Sequence, residues 1–132
     1  MAKVTGIGGV FFKATNAEVL RRFYAEGLGL EVGEYGKAFV WREDDKPDER
    51  GYTVFAPFAA DTDYFAPSEA PFMLNFRVDD LDAVLERLRT KGAKLVGGPE
   101  KHDNGRFAWV MDPEGNKLEL WEPVPASEDP YL

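Results

Sequence analysis

At 132 residues, with 44% apolar and 14% aromatic residues, the chain is expected to form one folded domain with a full hydrophobic core. A formal charge of −8 with no basic cluster excludes binding to nucleic acid or anionic membranes, and the absence of cysteine excludes disulfides, thiolate metal sites and cysteine nucleophiles. No apolar run approaches the ~20 residues of a membrane helix, and MAKVTGIGG carries no basic-then-apolar leader, so a cytoplasmic location is expected.

Lys3–Lys13 mixes β-branched and aromatic residues with glycines, as strands do. Thr15-Asn16-Ala17-Glu18 fits a capping box with the Thr15 hydroxyl at the cap. Val19, Leu20, Phe23 and Tyr24 then recur at helical spacing up to Gly27 and Gly29, which close the helix. Leu30–Val32 and Ala38–Trp41 read as short strands, Glu43–Gly51 as a charged solvated loop, and Tyr52–Ala56 as another strand. Pro57–Pro71 is a long connection holding the aromatic pair Tyr64-Phe65. The pattern then begins again. Phe72–Val78 is a strand and Asp79 or Asp80 a helix cap, followed by the apolar stripe Leu81, Val84, Leu85, Leu88 and by Gly92 as terminator. Ala93–Val96 reads as a strand and Gly97–Gly105 as a loop. Arg106–Met111 and Lys117–Glu122 form a hairpin about Asp112-Pro113-Glu114-Gly115, where Pro113 starts a turn and Gly115 completes it. Ala126–Leu132 is a polar tail, predicted loose, from which Tyr131 and Leu132 can dock.

The order is thus βαβββ twice, in one domain over 1–125 with modules about 4–58 and 71–123. Leu20 and Val84, Tyr24 and Leu88, and Phe12 and Phe76 each stand 64 residues apart. Strands with two amphipathic helices give an α+β fold, the helices covering the outer face of a curved sheet. Strand parity places Val10, Phe12, Leu74, Phe76, Val78, Leu118 and Leu120 toward the helices. The opposite parity collects Gly9, Phe11, Lys13, Thr53, Phe55, Met73, Asn75, Arg77, Glu119 and Trp121. That wall mixes aromatics with a few polar groups, as a small-molecule pocket does.

Four segments, GIGGVFF at 6–12, RFYAEGLGLEV at 22–32, FRVDDLDAVLERLRTKGAKLVGG at 76–98 and GRFAWVMDPEGNKLELWEP at 105–123, resemble the vicinal oxygen chelate superfamily of glyoxalases, bleomycin-resistance proteins and extradiol dioxygenases. The resemblance implies an open, U-shaped mixed sheet of paired βαβββ modules around a cavity, in a homodimer. It leaves the reaction open, since the fold serves isomerases, lyases, dioxygenases and non-catalytic drug binders. Family enzymes hold a divalent metal at points that carry over to Gly9, Phe55, Met73 and Glu119. Only Glu119 is a hard-cation ligand, because methionine sulfur is soft and the other two have no donor. The expectation is a cavity without the family metal and without a cofactor.

Glu119 is therefore the candidate catalytic residue, either a general base or acid or a relic of a metal scaffold, with Arg77 or Lys13 as its expected cation. Phe11, Lys13, Phe55, Met73, Asn75, Arg77, Trp121 and His102 are the candidate ligand-binding residues. His102, the single histidine, lies in a loop that either overhangs the cavity or is solvated. Trp109 reads as core, Trp41 as stacking surface or core, and Tyr64 and Phe65 as pocket or interface. Gly6-Ile7-Gly8-Gly9 lacks dinucleotide-loop spacing, and neither Ser68 nor Ser127 sits in a nucleophile elbow. The expected function is metal-free binding of a small aromatic or cationic molecule; the alternative is a lyase, isomerase or dioxygenase using Glu119.

Overall fold

The computed structural model describes all residues, 1–132. Seven strands and two helices follow one another as β1 (Val4–Ala14), α1 (Ala17–Leu28), β2 (Lys37–Arg42), β3 (Arg50–Ala59), β4 (Phe72–Val78), α2 (Leu81–Thr90), β5 (Leu95–His102), β6 (Gly105–Met111) and β7 (Lys117–Pro123), with a 3-10 turn at Ala126–Glu128. The strands form one open mixed sheet in the order β2-β3-β1-β4-β7-β6-β5. The fold is α+β.

The modules meet where β1 and β4 pair antiparallel, Val10 opposite Leu74 and Phe11 opposite Met73. On either side, β1 runs parallel to β3 and β4 runs parallel to β7. Parallel neighbours need a crossover, and each module supplies it as a helix laid on the outer face followed by further strands of the same sheet. α2 caps that face with Leu81 and Val84, which pack with Val78, Ala108, Val110 and Leu120. On the other module Tyr24 of α1 meets Phe55 edge-on at 5.4 Å, and Phe55 meets Phe12 at 5.0 Å.

Local chemistry accounts for the element ends. Asp80 is the α2 cap, its carboxylate accepting from the Ala83 amide, while Asp79 accepts from the Lys3 amide. The α1 cap is Asn16 rather than Thr15, the Asn16 side chain accepting from the Val19 amide. Gly29 ends α1 at φ 67°, a left-handed conformation that glycine adopts without strain. The β6–β7 turn forms as its residues require: the Asp112 carboxylate accepts from the Glu114 and Asn116 amides, and Gly115 sits at φ 81°.

Three further expectations change. Leu30–Val32 is not a strand; that stretch offers only the isolated bridge Gly33–Gly36, so the first module has one strand fewer than the second. Conversely, Gly97 to His102 is not loop but the body of β5, with register shifts between Leu95 and Glu100 that absorb Gly97, Gly98 and Pro99. The tail is fastened: Asp129 is buried and accepts a 2.9 Å hydrogen bond from the Tyr52 hydroxyl.

Candidate functional site

Glu119 lies mid-way along β7, beside Asn75 of β4 and Trp109 of β6. It is 4% exposed. Three neutral donors converge on it. Asn75 donates to one carboxylate oxygen at 2.6 Å, and Trp109 donates its indole N–H to the other at 2.8 Å. The Tyr64 hydroxyl donates to that second oxygen as well. A buried carboxylate without such donors would be strongly destabilising, so the cluster explains how Glu119 stays inside.

Arg77 and Lys13 are not its partners, and no ion pair of the molecule includes Glu119. The nearby cation is Lys117, whose ammonium donates to the Tyr64 carbonyl at 2.7 Å and lies over the Tyr64 and Trp109 rings. Burial lowers the Lys117 pKa, and the Glu119 charge works against that shift. Burial pushes the Tyr64 phenol far above its ordinary value, and the neighbouring Glu119 charge pushes it further. Tyr64 therefore holds its proton firmly.

Tyr64 and Phe65 belong to the connection between modules, which folds over the inner face. Phe65 is fully buried against Phe11, Ala56, Met73 and Trp109. Phe58 stacks on Tyr64 at 5.6 Å. The Lys13 ammonium is 5.9 Å from the Phe65 ring centre.

A second polar centre lies two residues along β4. Arg77 is 3% exposed and enclosed by the rings of Trp121, Trp41 and Tyr52, at 4.7, 5.2 and 5.8 Å. Its nearest carboxylate is Glu43, at 3.4 Å, and its Nε and Nη1 have no hydrogen-bond acceptor. Burial lowers the Arg77 pKa, against the pull of Glu43. Cation–π contacts supply part of what the missing acceptors do not. Gly8 makes this packing possible: a Cβ there would stand 2.1 Å from the Asn75 oxygen and 2.8 Å from the Trp121 ring.

Beside the Glu119 cluster an open cavity of about 350 Å³ is lined by Phe11, Val54, Ala56, Pro57 and Phe58, with Glu34 and Tyr35 at its rim. Of the sequence-derived candidates, Phe11, Met73, Asn75, Arg77, Glu119 and Trp121 share the inner face. Phe55 does not, and its assignment there is corrected. It packs on the helix side with Phe12 and Tyr24, while its neighbours Val54 and Ala56 line the cavity. The cause is a register difference. Val10 stands beside Phe55, and its symmetry mate Leu74 stands beside Leu118. Phe55 thus corresponds to Leu118, 63 residues on rather than 64, and Ala56 corresponds to Glu119. His102 is exposed at the end of β5, near Glu100 and edge-on to Phe107, which in turn stacks on Trp121. The residues that sequence reasoning undervalued are Tyr64 and Trp109. Their signal was an aromatic pair between prolines and an indole in register with Glu119.

A model of the glyoxalase-like domain matches residues 9–121. The chain belongs to that family, within the vicinal oxygen chelate superfamily. Over 45 residues it is 42% identical to a probable lactoylglutathione lyase from Synechocystis sp., a match spanning 33% of this chain and about a third (34%) of that relative. The methylmalonyl-CoA epimerase of Mycobacterium tuberculosis is 25% identical with a TM-score of 0.56, over 92% of this chain and 90% of its own. The Streptomyces coelicolor enzyme of the same name is 16% identical with a TM-score of 0.65, over 94% and 98%. A catechol 2,3-dioxygenase is 23% identical with a TM-score of 0.55, over 95% of this chain and 41% of its own. The last two likenesses show the shared fold alone. The points to which the resemblance carries the family metal become, with the register read from the sheet, Gly9, Ala56, Met73 and Glu119. One hard donor among four does not fit a divalent ion, and no three His, Cys, Asp or Glu side chains elsewhere are placed to hold one.

Proposed function

We propose that this glyoxalase-like protein binds a small aromatic or cationic molecule on the inner face of its sheet, without a divalent metal. The observation that carries the reading is the 350 Å³ cavity lined by Phe11, Val54, Ala56 and Phe58, with one carboxylate, Glu34, at the rim. Its size and mostly apolar lining suit a single-ring ligand, and the rim carboxylate together with the −8 charge favours a cation. Glu119 lies behind this cavity as a satisfied carboxylate that sets the position of Tyr64 and Trp109.

The test is a calorimetric titration with 2-phenylethylammonium against phenylacetate, on protein whose metal content has been measured. The expected result is saturable binding of the cation, weaker binding of the anion, loss of both in Ala56→Trp, and selective loss of the cation in Glu34→Gln. Stoichiometric iron, manganese, nickel or zinc in the purified protein would overturn the metal-free reading, and equal binding of cation and anion would remove the role of Glu34.

A second reading, proton transfer by Glu119, rests on its contact with the Tyr64 hydroxyl. In that reading the Tyr64 segment swings aside and exposes Glu119 as a base. Turnover abolished in Glu119→Gln with ligand affinity retained is its expected signature.

A further inference from the structure

The outer side of the sheet holds a hollow about twice as large as the inner-face cavity. It measures about 760 Å³ and runs beneath α2, floored by Phe76, Leu118 and Leu120 and roofed by Leu88. Only Leu81 and Val84, in the first half of α2, are buried. Leu85 and Leu88 are half-buried at the edge of the same core, and a smaller hollow on the other flank of the helix shares Leu88, Ala93 and Val110. The space is thus a groove between the later turns of α2 and the strands they cover, where the helix is less deeply buried than at Leu81 and Val84.

The rim of this apolar hollow is basic, in a chain of net charge −8. Arg87, Lys91 and Lys94 line it. Arg87 is engaged, donating to the Ala2 carbonyl at 2.7 Å. Lys91 and Lys94 are exposed and form no ion pair. The one carboxylate on the rim, Asp112, is taken up by the Glu114 and Asn116 amides and the Asn116 side chain. The negative end of α2 accounts for a cation at Lys91. It does not account for Lys94 beyond the turn, nor for the apolar floor below both.

We propose that this hollow is a binding site for an anionic amphiphile of medium chain length, such as a fatty carboxylate. The chain lies on Phe76, Leu88 and Leu118, and the headgroup sits between Lys91 and Lys94. The volume falls in the range of small-molecule pockets, and an apolar floor with unpaired cations at one end matches a ligand with those two parts. The site lies on the opposite side of the sheet from the inner-face cavity, so either can exist without the other.

The test is calorimetric titration of the full chain, below micellar concentrations, with octanoate, decanoate and dodecanoate, and with decanol and decyltrimethylammonium. The expected result is one-to-one binding of decanoate, tightening about three- to fourfold per added methylene. Decanol binds more weakly and decyltrimethylammonium more weakly still. The double variant Lys91→Glu/Lys94→Glu lowers decanoate affinity about tenfold and leaves decanol unchanged. Ala93→Trp, which fills the hollow, removes both, with circular dichroism and a urea melt confirming that the variant folds. The proposal is overturned by absence of decanoate binding, by decanoate affinity that neither variant moves, or by equal affinity for the cationic amphiphile. It is also overturned if sedimentation shows self-association that Ala93→Trp abolishes, since a second copy then covers the hollow.

Discussion

A carboxylate surrounded by three donors behaves differently from one paired with a cation, and Glu119 shows how. Asn75, Trp109 and Tyr64 each present a hydrogen to it, so removing the acceptor strands three buried donors. Glu119→Ala is expected to lower stability by about 3–5 kcal/mol. Glu119→Gln keeps one oxygen for Tyr64 and Trp109 and offers an N–H₂ to Asn75. The Asn75 oxygen, now without a donor, accepts from it if that amide turns over. The cost then falls to about 1–2 kcal/mol. Urea denaturation of both variants checks this; equal losses would mean that the donors do not depend on the carboxylate. Tyr64 adds a pH signature. Its folded pKa is raised, so the unfolded chain releases the phenolic proton first, near pH 10. The stability linked to that proton is complete below pH 10 and falls as pH rises above it, by up to about 1.4 kcal/mol per pH unit. The buried Tyr52 phenol, likewise raised, behaves in the same way. Tyr64→Phe should lower stability at neutral pH and leave a shallower decline between pH 10 and 12.

The elements were legible in the sequence wherever one physical signal dominated. The α2 stripe, the Asp80 cap and the Asp112–Gly115 turn form as their residues require, because each is decided within a few positions. Leu30–Val32 misled because three apolar-flanked residues satisfy a strand pattern without a partner strand, and here only Gly33 and Gly36 bridge. The Gly97–Pro99 stretch misled in the opposite sense. Glycine and proline break most strands, yet this edge strand accommodates them through its register shifts, and a Cβ on Gly98 would come 2.6 Å from the Phe107 carbonyl. The Phe55 face was missed for a related reason: one residue of register inverts a strand, and nothing local to β3 reports it. Where the pattern is strong, its energetic weight is testable. Leu81 is fully buried where α2 meets Val78 and Leu120, so Leu81→Ala should lower stability by about 2–5 kcal/mol. Leu85→Ala, on the half-buried flank of the same helix, should lower it by less. Thermal melts that place the two variants together would show that α2 is not anchored at its start.

At the scale of the molecule, the repeat of 64 residues explains the sheet and the site's position between modules, but not the asymmetry that fills the site. Duplication would place Ala56 and Glu119 as equals, yet one module supplies a methyl group and the other a carboxylate. The connection Ala60–Pro71 then lays Phe65 over the former and Tyr64 over the latter. That segment has no counterpart in the repeat, so periodicity carried no information about it. The tail is a second such addition. After β7 the chain turns back to the first module, where Asp129 accepts from Tyr52 and the Ala126 amide donates to the Glu49 carboxylate at 2.6 Å. Tyr52 stands edge-on to Trp121, one wall of the Arg77 enclosure, and the Asp129 charge acts on that guanidinium to hold its proton. Deleting residues 126–132 therefore removes two hydrogen bonds to charged groups and leaves Glu43 as the carboxylate facing Arg77. The expected loss is about 2–4 kcal/mol, with a change in tryptophan emission from Trp41 and Trp121 in the folded state. Asp129→Asn, which keeps an acceptor for Tyr52 but removes the charge, should recover most of the stability and little of the emission change. A deletion that shifts neither the urea midpoint nor the emission would mean that the tail does not fasten the two modules.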